Sequence, residues 1–168
     1  MIFDLLAKID TKYPFDQAVA HCDIPCKIYD PITAQLAVLT MIRMVDLLNE
    51  LKDCESLTLE QQATFIRLVN EKEAHGNKVK EEILIIWGDY IKQPQLDSHQ
   101  NLHALTHEIM LAASKAKQSI NREASVKLLD KVNQFVEIFW ETKGVEVYRA
   151  ICPYPPAESL SYPVLKSI

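Results

Sequence analysis

Asp30-Pro31-Ile32-Thr33-Ala34-Gln35-Leu36-Ala37-Val38-Leu39-Thr40-Met41-Ile42 opens with an acid that can cap a helix and a proline ring preset for its first turn. Apolar residues then recur at helical spacing through Val45, Leu48 and Leu51, which predicts a helix to about Leu51. Downstream, Thr58-Leu59-Glu60-Gln61 reads as a capping box. The helix it starts carries Phe65, Leu68, Val79, Ile83, Ile86, Trp87 and Tyr90 to a stop at Gln93-Pro94, with Gly76 a weak point inside it. A third helix is expected from about Ser98 to Lys117. A fourth runs from Asn121 to Lys143-Gly144, where a cation and a glycine mark the end. Four helices with short polar connections predict an all-α, up-down-up-down four-helix bundle over 31–144. The stretch 145–168 holds Pro153, Pro155, Pro156 and Pro163, and is expected to form an extended arm on the surface rather than a fifth helix.

Composition agrees with this reading. The 168 residues are 48% hydrophobic and 24% charged, as in an ordinary globular chain, and only 3 are glycine, which disfavours a turn-rich β-sandwich. A net charge of -5 argues against nucleic acid as partner, since phosphate binding needs a basic face. No apolar run in the sequence approaches the roughly 20 residues that span a bilayer, so no membrane partner is expected.

The densest chemistry lies just before the first helix: His21-Cys22-Asp23-Ile24-Pro25-Cys26-Lys27-Ile28-Tyr29. Cys22 and Cys26 offer two soft thiolates and His21 an imidazole within one short turn, a donor set for a transition metal. The spacing alone also fits a loop whose cysteines are small apolar fillers. Cys54 and Cys152 stand apart and read as inert thiols. Four cysteines so placed do not form a disulfide framework, which points to a reducing, cytoplasmic setting. Met1–Ala20 carries Asp4, Lys8 and Asp10 and lacks the pattern of a secretory signal.

This string resembles the nickel hook of the nickel superoxide dismutases, whose pattern is His-Cys-x-x-Pro-Cys-Gly-x-Tyr. Trp87-Gly88-Asp89-Tyr90-Ile91-Lys92-Gln93-Pro94 is similar to that family's Trp-x-Asp-Tyr-x-Lys-x-Pro, and Phe139-Trp140-Glu141-Thr142-Lys143 to its closing helix. The resemblance covers about His21 to Lys143. It implies an enzyme that converts superoxide to dioxygen and hydrogen peroxide, with one nickel per subunit cycling between Ni(3+) and Ni(2+). It further implies that a leader, 1–20, is removed by a maturation protease, which frees the His21 α-amine in the hook, 21–30. The implied ligands are His21, Cys22 and Cys26. Tyr29 and Tyr90 would restrict access to the metal, the Asp23 backbone amide would help hold the anion, and Lys92 would attract it. A homohexamer is implied as well.

Two departures from the pattern stand out. Lys27 replaces the hook's usual glycine, so the turn is strained or reshaped if that position needs positive φ. Ala37 and His75 fall where some members carry a glutamate and an arginine that orient the axial imidazole. Two other classes of function remain open from sequence: a non-catalytic nickel or copper protein for storage or sensing using the same hook, and a helical interaction scaffold. His99, His103 and His107 recur every four residues, a spacing able to chelate a metal, and read as a solvated or edge-packed stripe.

Overall fold

A computed structural model describes residues 27–52, 54 and 56–166. The chain is mostly helical, with α1 at Ile32–Asn49, α2 at Leu59–Ile85, a π-helical turn at Ile86–Tyr90, α3 at Gln93–Ser98, α4 at Leu102–Lys117 and α5 at Arg122–Thr142. Two strands follow, β1 at Val147–Ile151 and β2 at Ser159–Pro163.

Two of the expected caps form as read, while at α1 Pro31 takes the N-cap position and Ile32 is the first helical residue. Asp30 Oδ1 accepts from the Ile32 amide at 2.9 Å, which satisfies a donor that the first turn leaves without a helical partner. Thr58 and Gln61 close the expected capping box in both directions, at 2.9 and 3.2 Å. Asn121 Oδ1 accepts from the Ala124 amide at 3.0 Å to start α5. Gly144, with φ +67°, turns the chain away from the end of α5, a left-handed conformation that glycine adopts without a Cβ penalty.

The main helix contacts run from α1 to α2, α2 to α4, α4 to α5, and α5 back to α1. Inside that ring Val38, Ile42, Val79, Ile83, Ile109, Leu128, Phe135 and Phe139 are fully or almost fully buried. By length and composition α1 could cross a membrane, contrary to the reading of the sequence, but half of it is buried inside the protein. Its contacts with α2 and α5 make it a core helix. α2 continues unbroken through Gly76. A Cβ there would clash with Lys117 Cγ, so the glycine lets that side chain cross α2. One turn earlier Lys72 is buried, and its ammonium donates to the carbonyls of Ala116 (3.3 Å) and Lys117 at the end of α4. Burial pushes the Lys72 ammonium pKa down.

Three expectations need correction. The second helix stops at Ile85, not at Pro94. Pro94 lies inside the first turn of α3, where its fixed φ suits the helix and its missing N–H is not needed. The helix expected from Ser98 starts instead at Leu102, because α3 ends at Ser98 and His99–Asn101 connect the two. The Pro-rich arm folds into an antiparallel hairpin, with Val147 opposite Pro163 and Ile151 opposite Ser159. It is more than a surface arm, since Leu160 and Cys152 are buried in the common core.

Polar groups fasten the hairpin. Gln35 Nε2 donates to Asn133 Oδ1 (2.8 Å) and to the Ser161 carbonyl (3.1 Å). Asn133 Nδ2 donates to the Ser159 carbonyl at 2.9 Å, and the Ser161 amide returns a bond to Asn133 Oδ1 at 3.2 Å. Gln35, Asn133 and Ser161 are all essentially excluded from solvent, so the network replaces the water that each loses on folding.

Candidate metal centre

His21, Cys22, Asp23 and Cys26 lie outside the described residues. The described chain begins at the next position, Lys27, which has φ +58°. A side chain in this left-handed region costs about 1–2 kcal/mol. Lys27 therefore holds a left-handed conformation that glycine adopts without penalty, and its own backbone is strained.

Tyr29, two residues on, packs its ring 5.7 Å from that of Tyr90, at 47° between planes. Tyr90 reaches it because α2 changes at Ile86 to a π-helical turn, in which the Ile91 amide bonds to the Ile86 carbonyl at 3.1 Å. Such one-turn widenings re-aim side chains and recur at functional sites. The ring of Tyr90 also lies 5.0 Å from Phe139, and its hydroxyl meets Thr142 Oγ1 at 2.7 Å. Thr142 spends its own proton on the Phe139 carbonyl at 2.7 Å, so Tyr90 is the donor to Thr142. The phenol oxygen keeps its lone pairs for any other partner.

One cation lies over these rings and a second sits at the π-helical turn. Lys143 Nζ sits 4.5 Å from the centroid of Tyr90 and 5.0 Å from that of Phe139. Lys92 is exposed and donates to the Gly88 carbonyl at 3.1 Å, at the end of the π turn. The structure therefore brings Tyr29 and Tyr90 together and puts Lys92 at the same turn as Tyr90.

The remaining candidates have local partners. His75 Nδ1 turns back to the Glu71 carbonyl of its own helix at 2.9 Å, and Ala37 is a core residue. His103 Nδ1 accepts from Trp87 Nε1 at 3.1 Å. Among the described residues no group of three His, Cys, Asp or Glu side chains could hold a metal. Cys152 is buried with Sγ 3.2 Å from the Tyr154 carbonyl, while Cys54 is exposed. Thr142 and Lys143 were legible only as part of the closing-helix string. Their contacts with Tyr90 depend on a fold that joins positions far apart in sequence.

A helical domain that pairs Tyr29 with Tyr90 and sets Lys143 over the Tyr90 ring follows directly on the His-Cys-Cys segment, the order expected of a metal-dependent oxidoreductase. Residues 16–143 match the family model for nickel-containing superoxide dismutase. The superoxide dismutase [Ni] of Streptomyces seoulensis is 35% identical over 124 residues, which span 74% of this chain and 88% of that one. That of Streptomyces coelicolor is 33% identical over the same shares. A crystal structure of Ni-containing superoxide dismutase, with nickel ligation corresponding to the oxidized state, superposes with a TM-score of 0.63 at 33% identity, covering 74% of this chain and 99% of that one. The chain belongs to the nickel-containing superoxide dismutase family: it is an oxidoreductase acting on superoxide, and nickel is its cofactor. Membership favours turnover over storage or sensing.

Proposed function

We propose that the active form begins at His21 and holds nickel through the His21 α-amine and imidazole, the Cys22 amide nitrogen and thiolate, and the Cys26 thiolate. The chemistry of this set would fit the ion: anionic sulfur and amide donors with an imidazole would bind nickel and bring its one-electron couple within reach of superoxide. When bound, nickel supplies one-electron chemistry between those two states, by which two superoxide anions and two protons give dioxygen and hydrogen peroxide. The left-handed backbone at Lys27 supports the hook reading, because it is the conformation that glycine, the hook's usual residue at this position, adopts freely.

The observation that carries the reading is the contact between Tyr29 and Tyr90. Tyr29 follows Cys26 by three residues, a chain reach of at most about 11 Å, which is consistent with paired rings close to the hook. They restrict access and shield the thiolates from the peroxide that turnover generates. Tyr90, its proton committed to Thr142, presents an acceptor that can order a water molecule. The Asp23 backbone amide helps hold the anion, and Lys92 draws superoxide toward this end of the protein against the overall charge of -5.

The cyclic order of helix contacts supports an up-down-up-down bundle, to which we add an N-terminal hook. We assign 1–20 as the leader, removed by a dedicated protease near Ala18-Val19-Ala20, and 145–168 as an extension of the bundle, 31–144. A homohexamer and a cytoplasmic setting complete the proposal. The test is Cys22→Ser and Cys26→Ser, each expected to abolish both nickel retention and dismutation. Retention of nickel at one per chain in both variants would overturn the ligand set.

A further inference from the structure

We propose that Lys143 is a guiding cation for superoxide, acting from the face of Tyr90; this deepens the reading above and rests on it. Its ammonium lies 4.5 Å from the Tyr90 centroid, and Tyr90 lies 5.7 Å from Tyr29. Because the two separations share the Tyr90 ring, the charge is within a Debye length, about 10 Å at 0.1 M salt, of both tyrosines.

Three features hold the charge there. The ring faces of Tyr90 and Phe139 attract a cation electrostatically. Lys143 caps the C-terminus of α5, where the helix dipole favours positive charge. Among the described residues no carboxylate lies within 4.0 Å of its ammonium, whereas Lys127, Lys131, Arg122 and Arg149 are all ion-paired. An aromatic face leaves the ammonium charge uncompensated, as a carboxylate would not. Lys92 has no such partner either, but its ammonium is drawn back onto the Gly88 carbonyl. The acids nearest in sequence, Glu141 and Glu146, are exposed and thus strongly screened. The two lysines together form a local positive field that outweighs the net charge of -5 at short range.

The test uses nickel-loaded protein carrying Lys143→Glu, Lys143→Met or Lys92→Glu. Pulse radiolysis across ionic strength should show kcat/KM falling several-fold in Lys143→Glu, with the wild-type decline in rate with salt flattened or reversed, while nickel content is unchanged. Lys143→Met, which keeps the stem over the rings, should lie between. A readout independent of turnover is quenching of Trp140 fluorescence by iodide in a Trp87→Phe background. Quenching should fall about twofold or more in Lys143→Glu, with quenching by neutral acrylamide unaltered. Rates that track wild type at every salt concentration, with unchanged iodide quenching, would overturn the proposal. So would equal losses in Met and Glu variants with wild-type salt dependence, which would make the role one of packing. A wild-type chain without nickel or dismutation would instead overturn the proposed function, and the iodide comparison would still decide whether Lys143 gathers anions.

Discussion

Tyr90 donates its hydroxyl proton to Oγ1 of Thr142 at 2.7 Å, a direction set by the bond that Thr142 itself makes to the Phe139 carbonyl. The phenol is thereby fixed as an acceptor toward its remaining neighbours. Thr142→Val keeps the shape but removes the acceptor, so it should lower kcat/KM several-fold and cost about 1 kcal/mol of stability. Thr142→Ser should restore both. Pulse radiolysis and urea denaturation of the two variants check this, and a valine variant equal to wild type in both would refute it.

Lys27 holds φ +58° without being glycine. Lys27→Gly should therefore raise the unfolding free energy by up to about 1 kcal/mol, the left-handed penalty relieved less the entropy that glycine adds to the unfolded chain. Lys27→Val, with its branched Cβ, should shift stability the other way. Urea titrations of nickel-loaded protein measure both.

Asn133 joins α5 to Gln35 of α1 and to the backbone of Ser159 and Ser161 in β2. Asn133→Ala leaves a buried amide on Gln35 and a backbone N–H on Ser161 short of an acceptor, at a cost of about 1–3 kcal/mol for each group left unpaired. A fall in Tm of several degrees is expected, and an unchanged Tm would show that the hairpin is not fastened through this network.

Tyr162 gives a pH signature. Burial, and then its bond to Tyr154, raises its hydroxyl from 10.0 to about 12. The unfolded chain loses this proton first, so the stabilisation is fully present below pH 10 and is lost as pH rises toward 12. Tyr162→Phe should therefore lose less stability than wild type over that interval. Urea denaturation at stepped alkaline pH compares them, and parallel curves would count against the assignment.

Much of this architecture is written locally in the chain. Asp30-Pro31, the Thr58–Gln61 box, Asn121 and Gly144 mark helix ends through groups only a few residues apart, so sequence reveals them. The π turn at Ile86–Tyr90 was not legible, because apolar spacing runs through it unchanged and a single extra residue per turn leaves no compositional mark. The hairpin was hidden by its prolines, and by the fact that its anchors, Gln35 and Asn133, look like ordinary polar residues until three elements meet. The candidate site divides likewise. Tyr29, Tyr90 and Lys92 are proposed from motifs, whereas the contacts of Thr142 and Lys143 arise only when the end of α5 packs on Tyr90.

Whether the chain works as a nickel enzyme only once His21 is its first residue is decided by pulse radiolysis of two nickel-treated proteins, one beginning at Met1 and the other at His21. One nickel per chain and second-order dismutation of superoxide are expected in the protein beginning at His21, and neither in the one that keeps Met1–Ala20. Equal dismutation by the chain that retains Met1 would contradict this expectation.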